Sequence, residues 1–202
     1  MSAPALVLVV DDDPVFRASL DRFLRLAGYR ARTFASAREL LDAAPEEGPA
    51  CALVDLRMPG MDGLELQRQL ARAGRRLEIV FLSGHGGVKA TAEAMKGGAV
   101  DFLEKPFDEA TLLEAIERAL ARDADARQGE AARADARARL GRLSPAEREV
   151  CRLLASGLRN KQIAAALGKA EGTVRVQHWT AMSKLGVSSP MEVARLIELA
   201  GE

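Results

Sequence analysis

Short apolar runs alternate with amphipathic stretches through the first half of the chain. The runs that indicate strands lie at residues 6–10, 30–34, 51–54, 79–82 and 100–103, and the second is weaker because it is partly polar. Between them, apolar residues recur at helical spacing, and glycines such as Gly28, Gly74 and Gly97 end the predicted helices. Five strands alternating with five helices predict an α/β domain with a doubly wound, five-stranded parallel sheet.

The last third of the chain has a purely helical pattern. Ser144, Pro145 and Glu147 combine an N-cap, a proline in the first turn and a capping-box partner for the first helix. Further helices are predicted over residues 160–167 and 171–185, and a last one begins at Ser189. Four short helices with a tight turn between the second and third predict an all-α helix-turn-helix domain.

These patterns divide the chain into two domains, residues 1–121 and 141–202, joined by residues 122–140. The joining segment is rich in alanine and arginine, and its only apolar residues before Leu140 are alanines, so no core face is expected there. Its composition favours a helical linker. It is either a solvated extension of the preceding helix or a largely frayed segment, and the sequence leaves both open.

Charge is distributed unevenly although the formal net charge is +0. Residues 1–121 carry 15 Lys and Arg against 19 Asp and Glu, a net −4, whereas residues 141–202 carry 9 against 6, a net +3. The second domain is therefore expected to meet an anionic partner. Cys51 and Cys151 lie in apolar runs and are expected to be buried free thiols. With no signal peptide and no membrane-spanning run, the protein is predicted to be cytoplasmic.

Polar side chains follow the strands of the first domain where each strand ends. Asp11, Asp12 and Asp55 follow two of them, Ser83 ends the fourth and Lys105 follows the fifth. The carboxyl ends of parallel strands share one edge of a sheet, so these side chains are expected to converge. Neighbouring carboxylates repel each other, and Mg²⁺ with an incoming phosphate would relieve the repulsion. The site is therefore equipped to accept a phosphoryl group as an acyl phosphate. The aspartates at 13 and 62 are interpreted as helix caps.

The same residues resemble a known family. Val10-Asp11-Asp12-Asp13, Asp55-x-x-Met58-Pro59-Gly60, Leu82-Ser83-Gly84 and Glu104-Lys105-Pro106 are similar to the receiver domain of two-component response regulators, which has a flavodoxin-like fold. The resemblance implies Asp55 as the phosphoacceptor, Asp11, Asp12, Asp55 and the main-chain carbonyl of Arg57 as Mg²⁺ ligands, Lys105 and Ser83 as phosphoryl partners, Ser83 and Phe102 as the switch residues, and a cis Lys105–Pro106 bond.

The second domain resembles the LuxR/NarL/FixJ-type helix-turn-helix. The motifs are Leu143-Ser144-Pro145, Asn160-Lys161-Gln162-Ile163, Gly172-Thr173-Val174-Arg175 and Lys184-Leu185-Gly186. The resemblance implies that residues 171–185 are a recognition helix in the major groove, where Arg175, Gln177 and Val176 suit guanine, adenine and a thymine methyl. Asn160, Lys161, Thr173, His178 and Lys184 would contact phosphates. Trp179 either stacks on the DNA backbone, packs on a partner or is a partly buried structural indole.

Together the resemblances imply a phosphorylation-controlled transcription factor rather than an enzyme, one that catalyses only its own Mg²⁺-dependent phosphoryl transfer and dephosphorylation. The implied partners are a sensor histidine kinase, promoter DNA, a second copy of the chain through residues 88–121, and RNA polymerase, with no membrane. One alternative is a Mg²⁺-dependent phosphatase or phosphotransferase with an aspartyl nucleophile, but Arg57 stands where such enzymes carry a general-acid carboxylate. Another is a receiver that acts through protein contacts without binding DNA.

Overall fold

The first part of the chain folds around the predicted parallel sheet. The computed structural model describes residues 5–45, 48–84 and 87–201, so the outermost residues of the predicted domains, 1–4 and 202, lie outside it. The strands are β1 (Leu6–Val10), β2 (Arg30–Phe34), β3 (Ala50–Asp55), β4 (Glu78–Ser83) and β5 (Asp101–Glu104). They are all parallel in the order β2-β1-β3-β4-β5, which confirms the predicted fold class.

Helices cover both faces of this sheet. They are α1 (Pro14–Leu26), α2 (Ala37–Asp42), α3 (Gly63–Arg72), α4 (Val88–Lys96) and α5 (Glu109–Leu140). Alternate residues of β1 enter opposite cores: Leu8 and Val10 pack with α2 and α3, whereas Val7 and Val9 pack with α1 and α5. A strand that is buried on both faces needs an apolar side chain at every position, which explains the uninterrupted apolar runs.

Strand order and register determine which strand ends are neighbours. In the β1–β3 pair, Val10 lies opposite Val54, and in the β4–β5 pair Ser83 lies opposite Glu104. The residues that follow these pairs therefore leave the sheet at the same edge. This is the edge at which the change of strand order in a doubly wound sheet opens a crevice.

The second part of the chain is helical, as predicted. Its helices are α6 (Pro145–Ala155), α7 (Asn160–Leu167), α8 (Glu171–Leu185) and α9 (Pro190–Ala200). The predicted capping box at the start of α6 is confirmed, since Ser144 and Glu147 exchange side-chain and main-chain hydrogen bonds of 3.3 and 2.7 Å. The glycine after α8, Gly186, has φ of 64°, a conformation in which a side chain would be strained.

The predicted linker, residues 122–140, is the second half of helix α5. This helix contributes side chains to a core of the first unit and to a core of the second. The division between the two compact units falls between Arg127 and Gln128. Asp123 is buried in the first unit, and Ala136 and Leu140 belong to a core of the second. The segment was expected to have no core face, but these three residues are buried. Alanine is small enough to pack closely, and the carboxylate of Asp123 is hydrogen-bonded where it is buried. Among the described residues, no helix is both long and apolar enough to cross a membrane.

Candidate functional site

Two buried carboxylates and one ammonium group meet at the carboxyl edge of the sheet. Lys105 Nζ donates hydrogen bonds to Asp11 Oδ2 at 2.8 Å and to Asp55 Oδ1 at 2.7 Å. Burial alone lowers the pKa of Lys105, but these two hydrogen bonds and the charges of both carboxylates outweigh it, so the pKa lies above its usual value. The lysine is therefore held in its charged form between the two aspartates.

Main-chain groups orient both carboxylates. Asp55 Oδ2 accepts a hydrogen bond from the amide of Arg57 at 2.7 Å, and Asp11 Oδ1 accepts one from the amide of Asp13 at 2.9 Å. The guanidinium of Arg17 donates to the carbonyl oxygen of Asp11 at 2.6 Å, which attaches α1 to the end of β1. In each carboxylate, one oxygen accepts a hydrogen bond from a main-chain amide and the other accepts one from Lys105. These paired hydrogen bonds prevent either carboxylate from rotating freely.

The oxygen atoms at this edge fit the chemistry of a magnesium site. Mg²⁺ usually takes one or two carboxylates together with carbonyl or water oxygens. Asp11 and Asp55 are buried and adjacent to Lys105, Asp12 follows Asp11 in the chain and is exposed, and the predicted contribution of Arg57 is a carbonyl oxygen. Within the described ranges no group of three or more His, Cys, Asp and Glu side chains is arranged to hold a metal. The fit therefore rests on two carboxylates, a carbonyl and water.

The remaining predicted receiver residues lie on the neighbouring strands. Ser83 is buried at the end of β4, and its carbonyl oxygen accepts a hydrogen bond from the amide of Lys105 at 2.7 Å. Phe102 on β5 is half-buried, and its ring centroid lies 6.4 Å from that of Phe81. The Lys105–Pro106 bond is cis, which confirms the expectation from the resemblance. The structure thus places Ser83 at the end of β4 and Lys105 directly after the adjacent strand, β5.

The predicted caps are also confirmed. Asp13 accepts hydrogen bonds from the amides of Val15 and Phe16 at the start of α1. Asp62 accepts one from the amide of Glu65 at 2.7 Å at the start of α3. Asp13 and Asp62 are thus helix N-caps, whereas Asp11 and Asp55 form hydrogen bonds with Lys105.

An aromatic pair that sequence analysis did not identify borders the site. The ring centroid of Phe16 lies 3.8 Å from Lys105 Nζ, and the ring makes an edge-to-face contact of 6.4 Å with Phe107. In the sequence, Phe16 is simply one of the apolar residues that recur at helical spacing after the first strand. The signal that could have found it is its position five residues after Asp11, at the start of a helix that leaves the same sheet edge.

Gly63 allows α3 to approach the end of β3 closely. A Cβ atom at this position would lie 2.6 Å from the carbonyl oxygen of Asp55 and 2.9 Å from the ring of Phe81. The amide of Gly63 also donates to the carbonyl of Leu56 at 3.0 Å, so the helix start cannot retreat without losing this bond. Gly63 therefore supports the backbone that carries Asp55.

Substitution Gly63→Ala is expected to destabilise the first unit by about 2 kcal/mol, because the methyl group must displace either the backbone of Asp55 or the Phe81 ring. Thermal unfolding followed by circular dichroism measures this loss. Gly172→Ala is the matched control, since a Cβ at Gly172 meets no atom within 4 Å. Equal melting temperatures for Gly63→Ala and the wild type would show that the close approach is unimportant.

The second unit presents part of α8 to solvent. Thr173, Arg175, Val176 and Trp179 are exposed, with Trp179 at 73% and Val176 at 64% of full exposure. Val174, Ala181 and Leu185 are buried on the opposite side of the helix. The structure therefore leaves these four candidates exposed to solvent, and the exposure of Trp179 excludes its interpretation as a partly buried structural indole.

Other predicted DNA contacts occupy different environments. Gln177 is half-buried, and its Oε1 has no hydrogen-bond partner, so it does not share the exposed face of Arg175. His178 Nδ1 and Asn160 Oδ1 lie 2.9 Å apart, and Lys161 is exposed at the start of α7. Lys184 Nζ donates to both carboxylate oxygens of Glu147 at 2.9 and 2.8 Å. The ammonium group of Lys184, which was predicted to contact a phosphate, is therefore already paired with Glu147.

The Lys184–Glu147 pair also links α8 to the start of α6. The side-chain hydrogen bond from Lys184, followed by the amide of Ser144, holds the pKa of Glu147 below its usual value. Glu147 is buried and closes the capping box of α6. The predicted structural role of Glu147 is thus consistent with its contacts, and Lys184 takes part in the same arrangement.

Comparison with known proteins gives matches to both units. Residues 7–117 match the family described as response regulator receiver domain, and residues 142–197 match the family described as bacterial regulatory proteins, luxR family. Nodulation protein W of Bradyrhizobium diazoefficiens is 41% identical over 200 residues, covering 99% of this chain and 88% of that protein. Transcriptional regulatory protein FixJ of Azorhizobium caulinodans is 40% identical over 195 residues, covering 96% and 92%.

A solved structure of the response regulator StyR shares 42% identity with this chain at a TM-score of 0.88, covering 97% of this chain and 99% of that one. Full-length FixJ from B. japonicum shares 40% identity at a TM-score of 0.59, covering 97% of each chain. Both similarities extend over the two units rather than over one of them.

Proposed function

The chain belongs to the two-component response regulators that join a receiver domain to a LuxR-family DNA-binding domain, and we propose that phosphorylation of Asp55 by a sensor histidine kinase controls its dimerisation and its binding to promoter DNA. Both matched families indicate a regulator of transcription rather than a catalytic enzyme. The observation that carries the proposal is the Lys105 ammonium shared by Asp11 and Asp55 at the sheet edge.

Asp55 is the proposed nucleophile. One of its carboxylate oxygens forms a bond to phosphorus while the bond from phosphorus to the donor breaks, and the leaving group keeps the electron pair. The amide of Arg57 holds the carboxylate in orientation, and Lys105 is placed to pair with a phosphoryl oxygen. Asp11, Asp55 and the carbonyl of Arg57 would hold Mg²⁺, and Asp12 would have to turn towards the site to join them; the ion would supply positive charge to the phosphoryl oxygens.

The phosphoryl group then changes the contacts of the neighbouring strands. It adds negative charge beside Lys105 and offers acceptor oxygens to the hydroxyl of Ser83. Phe102 on the next strand is half-buried and is proposed to change rotamer with the movement of Ser83. Residues 88–121 include α4, β5 and the first part of α5, and this face is proposed to dimerise, to release the DNA-binding domain, or both.

The exposed face of α8 is the proposed reader of base edges. Arg175 suits guanine and Val176 a thymine methyl, while Trp179 is exposed enough to stack on the sugar–phosphate backbone. Thr173 and Lys161 are exposed and suited to phosphates. Of the other candidates, Asn160, His178 and Lys184 would have to exchange their present partners for DNA, and Gln177 would have to turn outwards to reach a base. RNA polymerase is proposed as a further partner.

Salt-dependent binding to a promoter fragment tests this function. The full chain, with and without a small phosphodonor and Mg²⁺, is titrated against the fragment at several salt concentrations, and its size is measured in parallel by gel filtration. We expect phosphorylation to increase both affinity and dimer content, because two half-sites add their phosphate contacts. Unmeasurable affinity in the phosphorylated form would favour the alternative of a receiver that acts only through protein contacts.

Substitution Arg175→Ala is expected to weaken promoter binding by about 5- to 150-fold, because one bidentate base contact contributes roughly 1–3 kcal/mol. Discrimination at the affected base pair should also relax, which a set of fragments with single base changes measures. Arg195→Ala removes the same charge from an exposed position on α9 and is the control. Equal losses in the two variants would contradict base reading by Arg175 and indicate a non-specific charge effect.

A further inference from the structure

We propose that Phe16 is a positioning residue for Lys105, whose aromatic face holds the ammonium group where it must meet a phosphoryl group on Asp55. The inference rests on the proposed phosphorylation of Asp55. It deepens that function by adding a residue from α1 to a site otherwise built from the ends of strands.

The first observation is the geometry around the ammonium group. An ammonium has three N–H donors. Two of them are directed to Asp11 Oδ2 and Asp55 Oδ1, and the ring centroid of Phe16 lies 3.8 Å from the same nitrogen. This distance is well inside the range of about 6 Å in which a cation is attracted to the face of an aromatic ring. The ring therefore acts as a third partner of the ammonium.

The second observation is the chemistry of this third partner. A further carboxylate here would neutralise Lys105 and repel an incoming phosphate. An aromatic ring attracts the cation through its quadrupole but carries no net charge. Phe16 can therefore hold the ammonium in place without competing with the phosphoryl group for it.

The third observation is that the ring itself is held in place. The amide of Phe16 donates to the carboxylate of Asp13, which caps α1. The ring packs edge-to-face on Phe107 and lines a groove with Phe23 and Leu112. Because Arg17 also attaches α1 to the carbonyl of Asp11, the ring and the acidic site belong to one connected arrangement.

The expected consequence concerns the transfer step. When Asp55 accepts a phosphoryl group from acetyl phosphate, the new oxygen–phosphorus bond forms as the bond to acetate breaks, and acetate leaves with the electron pair. Charge on the transferring oxygens is stabilised only if Lys105 is already in position. Loss of the aromatic face should therefore lower the maximal rate of transfer more than it changes the concentration of donor needed for half-saturation.

Three variants of the full chain test the proposal with acetyl phosphate and Mg²⁺. Phe16→Leu keeps an apolar side chain but removes the ring, and it should lower the maximal labelling rate about five-fold. Phe16→Tyr keeps the ring and should label at nearly the wild-type rate. Phe23→Leu makes the same change at another half-buried phenylalanine of the same helix and groove, and it should also label normally.

A spectroscopic measurement keeps the test independent of rates. The Lys105 ε-methylene protons lie next to the ring and should show an upfield ring-current shift by NMR in the wild type and Phe16→Tyr, but not in Phe16→Leu. Normal labelling by a folded Phe16→Leu variant, or equal losses in Phe16→Leu and Phe23→Leu, would overturn the positioning role while leaving the phosphorylation of Asp55 intact. Absence of labelling in the wild type would overturn the proposed function and this inference with it.

Discussion

Substitution Asp55→Asn is expected to abolish covalent incorporation of phosphate from a small phosphodonor. The carboxamide has nearly the same shape and can still accept the hydrogen bond from Arg57, but its oxygen is a far weaker nucleophile than a carboxylate. The other buried carboxylate of this site, Asp11, follows the adjacent strand β1 and accepts hydrogen bonds from Lys105 and from the amide of Asp13. Asp55 is the proposed nucleophile because it is the last residue of the central strand β3 and matches the phosphoacceptor position of the receiver family.

Intact-mass measurement after incubation with the donor, with and without Mg²⁺, gives a direct result. The wild type should gain one phosphoryl group in the presence of Mg²⁺, and Asp55→Asn should gain none. Asp13→Asn is the matched control, because Asn caps helices about as well as Asp and position 13 is exposed. Labelling of Asp55→Asn at the wild-type level would place the phosphate elsewhere and overturn the assignment of the site.

The parallel sheet could be predicted from the sequence because burial on both faces leaves a local signal. Every position of β3 is buried, so its run of apolar residues stands out before Asp55. Once the strands are known, the convergence of Asp11, Asp55 and Lys105 follows from the geometry of parallel strands. The structure agrees with this expectation, since Lys105 Nζ lies 2.8 Å from Asp11 Oδ2 and 2.7 Å from Asp55 Oδ1.

The environment of Gln177 was within reach of the same reasoning but was not obtained from it. Val174, Ala181 and Leu185 define the buried face of α8, and a residue three positions after Val174 lies near that face. The resemblance instead implied that Gln177 reads adenine from the exposed side of the recognition helix.

Contacts between distant segments could not be predicted in this way. Lys184 and Glu147 are separated by 37 positions, and a lysine near the end of an exposed helix gives no local sign of its partner. The cation–aromatic contact between Phe16 and Lys105 likewise joins α1 to the loop after β5. Such pairs depend on how elements pack, which hydrophobic periodicity does not specify.

Asp123 is the clearest example of a residue whose role depends on tertiary contacts. It lies in the alanine-rich, charged segment for which no core face was expected, four positions before Arg127. The two side chains form an ion pair at 2.7 Å, but the same carboxylate oxygen of Asp123 also accepts a hydrogen bond from the amide of Ala50 at 2.9 Å, and the Asp123 side chain is buried. Asp123 therefore attaches α5 to the first residue of β3, the strand that ends at Asp55.

Substitution Asp123→Ala is expected to destabilise the first unit by about 3 kcal/mol. It leaves the buried amide of Ala50 without its acceptor and removes the partner of Arg127, and loss of one member of a buried, hydrogen-bonded pair is among the largest effects of a single substitution. Asp125→Ala removes the same charge from an exposed position two residues away and should change stability by less than about 0.5 kcal/mol.

Urea titration can assign the loss to one unit because the chain has a single tyrosine and a single tryptophan, Tyr29 in the first unit and Trp179 in the second. Asp123→Ala should lower the denaturation midpoint reported by Tyr29, while the midpoint reported by Trp179 stays unchanged. Unchanged midpoints for both units would mean that water replaces the carboxylate at Ala50. A loss confined to Trp179 would mean that Asp123 supports the second unit instead, and that β3 begins without help from α5.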